Sequence, residues 1–168
     1  MEIIKQLELF HSNLADNYRL TDLNLYILKD QHLIGAVFCL HLLYNAAMFD
    51  LTRTSLAGFT FPLAAAFRDA PGEFRLQCQK RCQFHANEAS DIVRKGLAHA
   101  PVAFDDTFCP DAILESTKIQ IIYSATVAND DQTVTATRQN VRSNLQALKL
   151  LHIDKTAINP YVSLTYLK

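Results

Sequence analysis

The stretch Ala36 to Arg53, AVFCLHLLYNAAMFDLTR, decides how this chain folds. It is apolar on almost every side, yet His41, Asn45 and Asp50 fall inside it. Leu33, Val37, Leu40, Tyr44, Ala47 and Leu51 recur at helical spacing and predict one continuous buried stripe. Ile34, Phe38, Leu42 and Met48 cover much of the remaining circumference. A helix that apolar belongs in the middle of a helical assembly. With about 1.5–3 kcal/mol from each large side chain it buries, it can anchor a domain. Leu33–Phe49 is also the one transmembrane candidate. His41 and Asn45 at its centre would be costly in hydrocarbon, and no cluster of positive charge flanks one end, so it reads as a buried helix instead.

Working outward, 168 residues suffice for one domain with a real core. Hydrophobic residues at 49% and charged residues at 20% are ordinary for a globular protein. Four glycines and five prolines suit long helices better than many short strands. A net charge of −1 with scattered Lys and Arg gives no electrostatic footprint for holding DNA. Cys39, Cys78, Cys82 and Cys109 lie in apolar or helical surroundings, as buried thiols of a reducing compartment do. The opening MEIIKQLELF alternates charge with hydrophobe, unlike the apolar run of a signal peptide.

Ile3, Leu7, Phe10 and Leu14 predict an amphipathic helix from about Glu2 to Tyr18, followed by Thr21 and Asp22 as caps of a short turn through Leu28. The apolar helix then runs from roughly Asp30 to Thr54, and Gly58 and Pro62 mark a loop carrying Phe59 and Phe61. Ala64–Phe67 is a candidate for a single turn. Glu73 to His99 predicts a long helix with Phe74, Cys78, Cys82, His85, Ala89, Ile92 and Gly96 facing inward. Pro101 and Asp105–Asp106 fall in a loop, and Pro110 with Asp111 starts a helix that reaches about Ala128. Asn129, Asp130 and Asp131 break it. Gln132–Thr137 is ambiguous between strand and helix. Arg138–Leu151 is helical, with Val141, Leu145 and Leu148 inward, and Tyr161–Leu167 is unassigned. The expected fold is all-α, an irregular multi-helix bundle over residues 1–168.

Three blocks of sequence carry a family resemblance. The first is Phe10-x-x-x-Leu14 with Arg19-Leu20-Thr21 and Asn24-Leu25. The second is Leu40-His41-Leu42-Leu43-Tyr44 followed by Asp50-Leu51-x-Arg53. The third is Cys82-x-x-x-Ala86 with Ala89 and Ile92. In that order they resemble the fungal-specific transcription factor domain, the middle homology region of fungal zinc binuclear-cluster regulators, over roughly two thirds of the chain. Ala15 stands where the family usually has proline, and Phe10 where tryptophan is common. The resemblance implies a non-catalytic regulatory domain of a nuclear, sequence-specific RNA polymerase II regulator. It marks Leu40, His41, Tyr44, Leu51, Arg53, Cys82 and Ala86 as structural signature residues. The family's DNA-reading module uses six cysteines in two close triplets to hold two zinc ions. Four cysteines, widely spaced except for Cys78 and Cys82, cannot supply it, so zinc and DNA contact are expected outside this chain, which would be part of a larger helical regulatory domain. Partners would be the rest of the regulator, a second subunit, or a small-molecule effector held between Leu33–Arg53 and Phe74–Leu97.

Other constellations compete with that reading. Cys78, Cys82 and His85 share a helix face and, with Cys109 or His99, offer a zinc site; but residues two turns apart are about 10 Å apart along the axis, too far for one ion. His41 and Tyr44, one turn apart, with His85, could serve an enzyme or an apolar-ligand carrier, or could equally be a buried histidine satisfied by hydrogen bonds. Asp105–Asp106 and Asn129–Asp131 lack the further carboxylates of a magnesium site and read as loop and cap residues. Arg138, Arg142 and Lys149 form a modest basic face on the last helix.

Overall fold

The computed structural model describes residues 2–59, 67, 69–100, 104 and 108–151. Among them six α-helices and no strand are found: α1 Glu2–Ser12, α2 Asp22–Asp30, α3 Ile34–Asp50, α4 Gly72–His99, α5 Cys109–Thr126 and α6 Asp131–Leu150. Single 3-10 turns lie at Asp16–Tyr18 and Arg53–Ser55. The chain is an all-α bundle, as the periodicities require. Phe61, Pro62 and most of the expected turn at Ala64–Phe67 lie outside the described residues, as do the Pro101 and Asp105–Asp106 loop and Tyr161–Leu167.

Local chemistry places the ends. Thr21 Oγ1 accepts from the Asn24 amide at 3.3 Å and caps α2. Asp130 accepts from the Thr133 amide at 2.7 Å and caps α6, so the ambiguous segment 132–137 is helical. Thr and Val there tolerate helix because the cap and the packing of the following turns outweigh their small propensity deficit. Pro110 occupies the first turn of α5, where a missing amide proton costs nothing. α1 ends at Ser12 rather than at Tyr18. Between α2 and α3, His32 adopts a left-handed φ of 58°, which lets the two helices follow each other with hardly any loop.

The hub of the bundle is α4, which packs against α3, α5 and α6, with α3 also touching α5. α3 sits within the assembly as expected, packing against α1, α2, α4 and α5. α4 takes the central place with small side chains, because Cys82, Ala86, Ala89, Ser90 and Gly96 let neighbouring helices approach closely. Gly96 marks the tightest point: a methyl group there would overlap the buried ring of Phe104. Phe38, Leu42 and Phe49 of α3 share one core with Cys82, Ala86, Ala89 and Val93 of α4, Ile113 and Ile119 of α5, and Ala147 and Leu148 of α6.

The buried face of α3 also differs from the expected stripe. Val37, Phe38, His41, Leu42, Asn45, Met48 and Phe49 are buried, while Leu33 and Leu51 are exposed. In a helix apolar all round, hydrophobicity does not vary with direction, so periodicity cannot choose the inward side. By length and composition Ile34–Ser55 could cross a membrane, but its core face is covered by α4 and α5. On α1 only Ile4 is buried, and Ile3 and Phe10, expected inside, are 61% and 50% exposed. On α4, Phe74 is exposed while the rest of the predicted stripe is inside.

Candidate functional site

Two polar clusters lie within this apolar frame. The first gathers His11 of α1, His41, Tyr44 and Asn45 of α3, and Phe84 and His85 of α4. His41 donates from Nε2 to the Tyr18 carbonyl at 2.8 Å. A carbonyl can only accept, so the neutral ring carries its proton on Nε2 and Nδ1 is an acceptor. That acceptor faces His11 Nε2 at 3.2 Å. Asn45 donates from Nδ2 to the His41 carbonyl at 2.9 Å, which turns its Oδ1 toward His85 Nδ1, 2.8 Å away. The His11 ring stacks on Tyr44 with centroids 4.1 Å apart, and Tyr44 and Phe84 both meet His85 edge to face.

Electrostatics favour neutral rings throughout. Burial lowers the His41 value, against the pull of the Tyr18 carbonyl and with help from Lys95 and Arg19. Burial, then His41 and Arg19, lower His11. Burial, Arg81 and His11 push His85 down to about 4. Tyr44 is raised by burial and by Glu8. Glu8 reaches Arg81 at 3.3 Å and ties α1 to α4.

The remaining signature residues are joints of the fold. Arg53 donates to Glu115 Oε2 at 2.8 Å and lies 3.1 Å from Asp50, fastening the end of α3 to α5. Lys118 reaches the other Glu115 oxygen at 2.5 Å, and the Arg53 guanidinium sits over the Phe59 ring. Burial holds the Asp50 carboxyl above its usual range, while Arg53 pulls it back down. Cys82 Sγ lies 3.7 Å from the Phe49 carbonyl, and burial pushes its thiol up to about 12. Ala86 is fully buried beside it, Leu40 is half-buried, and Leu51 lies at the exposed end of the helix. No three His, Cys, Asp or Glu side chains among the described residues are placed to hold a metal ion. Cys78, Cys82 and His85 are spread along α4, with His85 turned to Asn45 and Cys82 to Phe49.

The second cluster escaped sequence reading. Gln120 of α5, fully buried, donates to the Ala86 carbonyl at 3.0 Å and to Ser90 Oγ at 2.8 Å, and accepts from Asn140 Nδ2 at 2.7 Å. Asn140 also bonds Asn87 and accepts from Arg94, which pairs with Asp91. One turn further along α6, Asn144 donates toward Ser90, Ser116 and Thr117 at 2.9, 3.3 and 2.9 Å, while its Oδ1 finds no partner. Single amides spread over three helices leave no motif; the one clue was polar residues at inward helical spacing (Asn140 and Asn144, Ser116 and Gln120). A groove lies on the outer side of this layer, between α5 and α6 rather than between α3 and α4. Ile121, Thr137, Val141 and Leu145 line it, with Arg138 and Arg142 at its edge.

The chain matches no protein-family model, no curated protein and no solved structure.

Proposed function

We propose that this chain is a non-catalytic regulatory domain, of the kind found in fungal zinc binuclear-cluster transcription regulators, acting in the nucleus through protein partners. One observation carries the reading: both ring nitrogens of His41 are engaged, by the Tyr18 carbonyl and by His11, so the signature histidine joins helices. Each ring nitrogen of this histidine is committed to a partner within the chain, which suits a structural joint. Arg53 and Cys82 of the same signature likewise hold α3 to its neighbours. Ile3, Leu9 and Phe10 of α1 and Leu23 and Tyr26 of α2 are exposed, which suits a face covered by the rest of a larger regulator or by a second subunit. DNA contact and zinc would belong to a module outside these residues. The rival reading, an enzyme or carrier using His41, Tyr44 and His85, would rest on His85 Nε2 and the Tyr44 hydroxyl.

Tethering the whole chain to an unrelated DNA-binding module upstream of a reporter, in a fungal cell, tests the proposal. The expected result is a nuclear protein that changes reporter output several-fold, while the isolated chain gives no sequence-specific gel shift. A folded, nuclear fusion that leaves the reporter unchanged would overturn it.

A further inference from the structure

The groove between α5 and α6 combines a size, a lining and a charge that together select a ligand. Its volume of about 690 Å3 falls within the range of small-molecule sites. Ile121, Ala125, Val134, Val141 and Leu145 make its walls apolar. Arg138 and Arg142, one helical turn apart, stand along one edge with no ion-pair partner among the described residues. α6 carries a single acidic residue, Asp131 in its first turn, and Glu115 of α5 is already engaged by Arg53 and Lys118. Thr137 is 5% exposed in the groove floor, and its hydroxyl, beside Arg138, lacks a hydrogen-bond partner. Two guanidiniums one turn apart match a carboxylate, and the apolar floor matches an alkyl chain.

We propose that this groove binds a free aliphatic carboxylate of medium chain length, its tail between Ile121 and Leu145 and its headgroup on Arg138 and Arg142. The groove alone carries this assignment, independently of the transcriptional reading, so either can fail without the other.

Titration of the whole chain with dodecanoate below its micelle threshold, followed by amide chemical shifts and calorimetry, tests it. Dodecanol and dodecyltrimethylammonium serve as uncharged and cationic probes. Dodecanoate should saturate at about millimolar concentration or below, moving amides from Ile121 to Leu145. In the R138Q/R142Q variant its affinity should fall about tenfold or more, with dodecanol unchanged. Leu145 is partly exposed, so L145D should fold and weaken every probe. Equal binding of the three probes, shifts mapping elsewhere, or an unaltered R138Q/R142Q variant would overturn the assignment. So would saturable binding only of an acidic amphipathic peptide.

Discussion

His11 Nε2 stands 3.2 Å from His41 Nδ1, with the His11 ring lying flat on Tyr44, so α1 is fastened to α3 by a pair of neutral imidazoles. α1 buries only Ile4 of its own, and this pair and the Glu8–Arg81 ion pair add to its attachment. The pair can accept one proton if His11 changes tautomer, since His41 Nδ1–H could then donate to His11 Nε2. A second proton would set two positive rings against each other, with Arg19 and Lys95 already nearby.

Stability should therefore fall with acid. His11, His41 and His85 all sit below the ordinary histidine value of 6.5 in the folded chain, His85 at about 4. Between the two values the unfolded chain binds more protons, so stability is full above 6.5 and is lost as pH falls through that window toward 4. Each histidine contributes a slope of at most about 1.4 kcal/mol per pH unit. Asp50 and Glu88, held above the carboxylate range by burial, oppose the trend at its acid end. Urea unfolding between about pH 7 and pH 5 should show the loss, and His85→Gln should flatten it. Parallel profiles for the two chains would refute the assignment.

Gly96 should resist the substitution that usually strengthens a helix. Alanine gains about 1 kcal/mol of intrinsic propensity over glycine. Here its methyl group meets the buried Phe104 ring, and overpacking of this kind costs about 1–3 kcal/mol. Gly96→Ala is expected to lower the urea midpoint, and the same change in a Phe104→Leu background should lower it much less. A stabilised Gly96→Ala chain would show that Phe104 moves away freely.

The Gln120–Asn140 pair should behave as one unit. Gln120→Leu removes the acceptor of a buried amide donor and is expected to cost about 1–3 kcal/mol. Adding Asn140→Leu removes that orphaned donor, so the double variant should recover part of the loss. Strict additivity in the cycle would mean the 2.7 Å contact has no energetic weight.

Thiol reactivity should rank the cysteines by position. Cys39 is half-buried, the others are buried, and the Cys82 thiol, at about 12, has almost no thiolate at neutral pH. An alkylating reagent should label Cys39 first and Cys82 only as fast as the whole chain unfolds. Rapid Cys82 labelling without unfolding would show that the α3–α4 seam opens locally.

Much of the helical order was legible because it depends on local rules. Thr21 and Asp130 announce their caps by residue type alone, and Pro110 its first turn. The long α4 stripe from Cys78 to Gly96 follows from alternation of polar and apolar faces. Where that alternation is missing, reading failed. α3 offers no polar side to mark the outside, so periodicity turns Leu33 and Leu51 inward although they are exposed. α1 has a clear apolar stripe, but it lies largely uncovered. His41 was recognisable as a residue in need of partners; that they are Tyr18 and His11 was not, because both come from a distant part of the chain.

By itself, then, the sequence determined that this chain is helical, where α4 and α5 begin and end to within about two residues, and that His41 and Asn45 must be satisfied indoors. Hydrogen bonds to near neighbours and helical periodicity set those properties, and both are written in short stretches. Only the tertiary structure decided that α4 is the hub, that Gln120, Asn140 and Asn144 share a polar layer, and that Arg138 and Arg142 border an open groove. Those depend on the direction in which each helix turns its faces, and side chains far apart in sequence settle that together through packing.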